Sequence, residues 1–172
     1  MALPRKLKHM NMFNDGNSHM GIVASVTLPN LARKIEAYRG GGMPGPVGVD
    51  LGGADELMKV VMKLGGWELT ALRQYGHPRA DGVQLRFAGS VQRDDTGEVV
   101  PVEVVMRGRH ENLGFGDATP GADTEHEVTT VLSYLKLTFD GRVEIEIDNL
   151  NFIFIVDGVD LLAEHRKAIG LA

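Results

Sequence analysis

Alternation is the feature that leaves this chain the fewest choices. Val131, Ser133, Leu135, Leu137 and Phe139 fall on one parity, and Thr130, Leu132, Tyr134, Lys136 and Thr138 on the other. Beyond Asp140-Gly141, Val143, Ile145 and Ile147 alternate with Arg142, Glu144, Glu146 and Asp148. A period of two turns successive side chains to opposite faces of a strand, and Asp-Gly tolerates the positive φ of a tight reversal. Residues 130–148 are therefore predicted to be a β-hairpin.

The same period recurs along the chain. It predicts strands over 20–28, closed by Pro29, over 31–38, and over 83–92 before the Asp94-Asp95-Thr96-Gly97 turn. Another runs from Val100 to Arg107, where Pro101 near its start points to a sheet edge. Phe152–Val156 is apolar on both parities, as in a strand covered on both faces. Leu57–Leu64 fits either period; Gly65-Gly66 and its central valines favour a strand. Asn14-Asp15-Gly16-Asn17 reads as the turn of an early hairpin, and 110–121 as a loop. Two helices are expected. Trp67, Ala71 and Tyr75 share a stripe ended by Gly76 and Pro78, and Asp160 to Lys167 runs from acid to base before Gly170. The fold class is mainly β, an antiparallel sandwich or barrel of about seven or eight strands with one internal helix and a short C-terminal helix.

A length of 172 residues fits one domain, 1–172, that buries roughly two-thirds of its extended surface without a metal or disulfide. There is no cysteine, which removes thiol catalysis and thiolate metal sites. The net charge of −5 argues against a dedicated nucleic-acid binder. No apolar run approaches bilayer length, so no membrane insertion is expected. Nor do Arg5, Lys6 and Lys8 lead into the apolar segment of a signal peptide.

An arm is predicted over about 31–51, with Tyr38-Arg39-Gly40-Gly41-Gly42-Met43-Pro44-Gly45-Pro46 between two extended stretches. The glycines make its tip pliant, the prolines stiffen the residues beyond the tip, and a segment that expensive to order calls for a partner. Gly40-x-Gly42-x-x-Gly45 spells a dinucleotide fingerprint, but Pro46 and the alternation from Val47 exclude the helix that would face the pyrophosphate. No cofactor is expected. Met43 has two readings, an anchor in another subunit or a side chain covered by its own. The six histidines lack metal-ligand spacing and read as surface residues, and Asp123, Glu125, His126 and Glu127 as a solvated strand start. No serine has a nucleophile-elbow context and no Walker motif occurs. Nothing in the sequence forms a catalytic constellation, so no enzyme is expected.

Several stretches, in order, resemble one family. They are Leu3-Pro4-Arg5-Lys6-Leu7-Lys8, Phe13-Asn14-Asp15-Gly16, Thr27-Leu28-Pro29, Tyr38 to Met43 with Gly45-Pro46-Val47, Ser133-Tyr134-Leu135-Lys136-Leu137, Glu146-Ile147-Asp148 and Gly158-Val159-Asp160. Together they are similar to the major tail tube protein of contractile-tailed (myovirus-type) phages and of the related R-type bacteriocins. Pro44 departs from the small or acidic residue of that pattern. The resemblance implies a structural virion protein whose hexameric rings stack into the inner tail tube, the conduit for DNA delivery into the host. Its implied partners are its own copies, the tail sheath, baseplate and tail terminator proteins, the tape measure protein in the bore, and DNA in transit without specific binding. It implies a place in the virion tail and assembly in the host bacterial cytoplasm. Tyr38, Arg39, Gly40, Gly41, Gly42, Met43, Pro44 and Pro46 become expected inter-subunit or inter-ring contacts, and an acidic or neutral bore is expected from one polar strand face, which alternation alone does not identify. Two alternatives stand beside this reading: the tube of a DNA-free device, an R-type bacteriocin or a type VI secretion system, and a small-molecule-binding β-barrel.

Overall fold

Two strands much longer than the rest, β8 and β9, organise the molecule. The computed structural model describes residues 1–171, as β1 (Lys6–Asn14), β2 (Asn17–Ser18), β3 (Val23–Thr27), β4 (Arg33–Tyr38), β5 (Val47–Gly53) and β6 (Met58–Leu64). Then come α1 (Leu69–Gln74), β7 (Val83–Gln92), β8 (Val99–Gly114), β9 (His126–Phe139), β10 (Arg142–Asp148), β11 (Ile153–Val156), β12 (Val159–Asp160) and α2 (Ala163–Ala168). The chain is mainly β with every strand pair antiparallel, as expected, but the described residues form twelve strands rather than seven or eight, because short segments such as β2 and β12 become strands only by pairing with a neighbour.

Ten strands share one sheet, with the path β12-β11-β10-β9-β8-β7-β1-β2. β9 gives one edge to β8 along nearly its whole length and divides the other. Residues 126–132 pair with β6, and 134–139 with β10. β3 hangs from the far side of β6, while β4 and β5 pair only with each other. The 130–148 hairpin forms as β9 and β10, with Asp140 at φ 51 and Gly141 at φ 76 in its turn.

The core lies inside the curl of this sheet. Met12, Val60, Met62, Leu64, Val83, Leu85, Phe87, Val104, Met106, Val128, Leu132 and Leu135 make one cluster, joined by Ala71 from α1. Burying each of the larger side chains contributes on the order of 1.5–3 kcal/mol before entropy is subtracted.

Several expectations are corrected. The early hairpin turns at Asp15-Gly16 as β1 and β2, and its first strand runs back over residues 6–14, whose extent the sequence left unmarked because Leu7 and Phe13 on one parity and Met10 and Met12 on the other define no single apolar face. β8 continues through His110–Gly114, where a loop was expected, because β9 hydrogen-bonds it to that point. α1 is shorter than the predicted 67–75; Trp67 and Tyr75 stay exposed and only Ala71 is buried. Asp160 belongs to β12 rather than to the last helix, tied there by an ion pair with Arg166.

The histidines need correcting too. His19, His110 and His126 are all buried, His126 completely, so the 123–127 cluster is not uniformly solvated. Parity misleads here because β9 carries a bulge. Arg107 pairs with Tyr134 and Gly108 with Leu132, so Ser133 is skipped. One extra residue reverses inside and outside. His126, Val128, Thr130 and Leu132 point inward before the bulge, and Leu135 after it.

Candidate assembly surfaces

The β4–β5 hairpin has no core of its own. Tyr38 faces Val47, and Glu36 faces Val49, across the ladder. Tyr38 is 60% exposed, Val47 55%, Ile35 56% and Leu51 55%. A lone two-stranded ribbon is marginal in water, and this one carries its apolar side chains uncovered.

All eight residues expected as contacts fall at or beside the hairpin's tip. Gly40 O accepts the Met43 N–H at 3.3 Å, closing a four-residue turn in which Gly42 has φ +82. That angle at the third position defines a type II turn and favours glycine. Met43 folds back over the turn, its Sδ accepting from Gly40 N at 3.0 Å. It is half-buried against its own arm. The Tyr38 hydroxyl closes over Gly40, so a Cβ there would stand 3.1 Å from it. Arg39 reaches Pro44 O at 3.5 Å, and Pro44 and Pro46 lie just past the turn.

The base of the arm is fastened more firmly than the tip. Arg33 Nε donates to Asp50 Oδ2 at 2.9 Å and stands 5.2 Å over the Phe154 ring of β11. That hydrogen bond, with the Gly52 N–H beside it, holds the Asp50 carboxyl below the usual carboxylate range. Lys34 pairs with Asp55 at 2.7 Å. Between this base and β10–β11 lies an open hollow of about 1380 Å³, lined in part by Leu31, Leu51, Met58, Ile147, Phe152 and Phe154.

Sheet edges supply the second surface. β2 clasps only Phe13 and Asn14, leaving 6–11 of β1 without a strand on the outer side among the described residues. β3 is likewise paired on one edge only. Unpaired rows of N–H and C=O are templates for another strand, which monomeric proteins cover or interrupt. The β1 edge was not legible because the strand itself carries no clear alternation.

Nothing among the described residues gathers three or more His, Asp or Glu side chains fit to hold a metal ion. No described helix is long and apolar enough to cross a membrane. The surfaces on offer are a ribbon and strand edges.

The overall fold is shared with chains of contractile injection systems. A chain of the extracellular contractile injection system PVC sheath–tube complex in its extended state superposes with a TM-score of 0.55 at 12% identity, covering 78% of this chain and 91% of that one. A chain of the anti-feeding prophage baseplate gives 0.54 at 11%, covering 80% and 97%. The phage tail tube protein FII family matches residues 4–170, and the chain belongs to it. It is 50% identical to the tail tube protein of Escherichia phage P2, over 99% of this chain and 100% of that protein. It is 40% identical to the major tail tube protein of Serratia phage KSP20, over 99% of each. The protein is thus a structural tail tube protein of a contractile-tailed phage, a component of the virion tail and not an enzyme.

Proposed function

We propose that residues 1–172 act as one tail-tube unit whose copies close into six-membered rings, and that the rings stack as the conduit through which DNA leaves the capsid. The observation carrying this reading is the β4–β5 ribbon, apolar on its surface and unsupported by its own core. Contact with a neighbouring subunit or ring at Tyr38–Pro46 would cover it, and the free edge of β1 offers a second place to continue a sheet. Six-fold order has a parallel in the related fold, since the anti-feeding prophage baseplate structure is described as 6-fold symmetrised.

The remaining partners are set by that place in a tail: sheath outside, baseplate and terminator at the ends, tape measure within the bore until DNA replaces it. Assembly takes place in the host bacterial cytoplasm. A net charge of −5 suits a passage that must release phosphates rather than retain them. The phage relatives favour a DNA conduit over a DNA-free device, and family membership displaces the ligand-binding barrel.

Replacing Gly40, Gly41 and Gly42 with valines tests the arm. The valines deny the tip its positive φ and crowd Tyr38. The expected result is a folded subunit that forms no tubes by negative-stain microscopy. Tubes of normal length would refute the role.

A further inference from the structure

α1 is held to the sheet by chemistry rather than by apolar packing. It has six residues, of which only Ala71 is buried and Leu72 is half-buried, too little apolar contact for a helix of this length to persist alone. Two buried histidines grip its ends. At the start, His126 Nδ1 accepts the backbone N–H of Glu68 at 3.3 Å, and Glu68 is the residue whose carboxylate caps the helix through Thr70 N. At the finish, His110 Nε2 lies 3.0 Å from Gln74 Oε1, while its Nδ1 lies 2.8 Å from Thr130 Oγ1. Gln74 and Asn14 exchange amide hydrogen bonds at 2.7 and 2.8 Å, and Gln74 also donates to Asp15 at 2.7 Å.

These partners assign the tautomers. Glu68 N–H can only donate, so His126 Nδ1 is bare and its proton is on Nε2, which is buried without a partner among the described residues. Gln74 Oε1 can only accept, so His110 carries its proton on Nε2 and takes the Thr130 hydroxyl proton at Nδ1. This arrangement requires a neutral His126, while at His110 burial between two uncharged partners, Gln74 and Thr130, favours the neutral ring.

We propose that His110 and His126 form an acid-sensitive clasp that releases α1 from the β8–β9 surface when the imidazoles take up protons. At His126 a second proton on Nδ1 would face the Glu68 N–H, two donors 3.3 Å apart. At His110 a proton on Nδ1 turns the Thr130 hydroxyl from donor to acceptor and leaves a cation in a buried site.

The charges around the pair do not rescue it. Glu68 from the start of α1 favours the His126 cation, and Asp15 from the β1–β2 turn favours that of His110. His126 opposes the charging of His110, and His19 adds a third imidazole beside Glu68. Lys63 on β6 and Glu127 on β9 occupy the opposite parity from Leu64 and His126. Arg109 and Glu111 flank His110 on β8, where Glu111 is paired with Lys59, and Arg73 on α1 is exposed. Burial dominates, lowering His126 and bringing His110 down to about 4. A histidine neutral when docked and free to charge when undocked stabilises docking above about pH 6.5, and that stability falls as pH drops towards about 4.

Trp67, the sole tryptophan, is the built-in reporter. Its Nε1 donates to Phe115 O, its ring meets Phe115 edge-on, and Phe115 stacks on His126. Titration of the intact protein from pH 7.5 to 4 should shift Trp67 emission and increase amide exchange of 68–74 about tenfold before the strands of the core respond. In His110→Gln/His126→Asn the amides supply the same donor and acceptor without titrating, so that transition should move down by at least about one pH unit. An unmoved midpoint would overturn the clasp, because the carboxylates would then account for it. If the double variant does not fold, histidine NMR titration of the unaltered protein decides. His126 must gain its proton over the pH range in which 68–74 open, and a His126 that titrates with α1 still protected would also overturn the proposal.

Discussion

Gly108 shows how little freedom some single residues have. A Cβ built there would stand 1.9 Å from the Val131 carbonyl oxygen, because the bulge at Ser133 drives β9 against β8 at this level. The obstacle is backbone on both sides, which cannot rotate away as a side chain could. Gly108→Ala is therefore expected to lower stability by about 3 kcal/mol, at the upper end of overpacking costs, read as a fall in the urea midpoint with unchanged slope. Gly114→Ala on the same strand is the control, since its new methyl would meet Glu127 at an ordinary 3.7 Å. The Ser133 bulge also set the limit of what residues 126–132 disclosed in sequence. Alternation from Val131 onward assigns Leu135 correctly and inverts everything before it, so His126 looked solvated while sharing a parity with Val128, Thr130 and Leu132. A bulge has no reliable residue signature, being fixed by which partner strand closes the ladder.

At the level of elements, strands bounded by turn chemistry were the readable ones. β7 matches its expected range of 83–92, and β4 and β10 lie within one or two residues of theirs. Asp-Gly and Gly-Gly punctuate the chain whatever its surroundings. The turn that ends β1 was readable, but the extent of β1 and the end of β8 were not, because both are strands by virtue of a neighbour rather than of their own pattern. The arm separates the two kinds of information again. Its glycine tip is apparent in sequence, but only the fold distinguishes Gly42, at φ +82, from Gly41, which has open space around it and no unusual φ. Gly42→Ala should strain the turn by about 1 kcal/mol, and Gly41→Ala should not. With the arm fastened to the body mainly at its base, both variants should keep the parent melting temperature, while tube yield falls for Gly42→Ala alone. Equal yields would mean that the turn need not hold this shape in the assembly.

For the whole molecule, the decisive contrast is between what the isolated subunit tolerates and what an assembled one would. Val47 and Val49 project from the ribbon at 55% and 40% exposure, so aspartates at both positions remain in water in the free chain. Surface substitutions of that kind usually change stability by less than about 0.5 kcal/mol, and the like charge that Val49→Asp sets across the ladder from exposed Glu36 is of the same order. In a contact that covers the ribbon, the same carboxylates would be desolvated without partners, a penalty of several kcal/mol at each site. Repeated around every ring, that penalty exceeds what a standard interface leaves over after its own losses. Val47→Asp/Val49→Asp should thus purify as a folded monomer with the parent melting curve, remaining monomeric at concentrations where the parent sediments as rings or tubes. Normal tubes from this variant would place the ribbon outside the contact and shift the burden of assembly to the free edges of β1 and β3. A variant that unfolds would show instead that the ribbon already supports the subunit, which the exposure of its side chains contradicts.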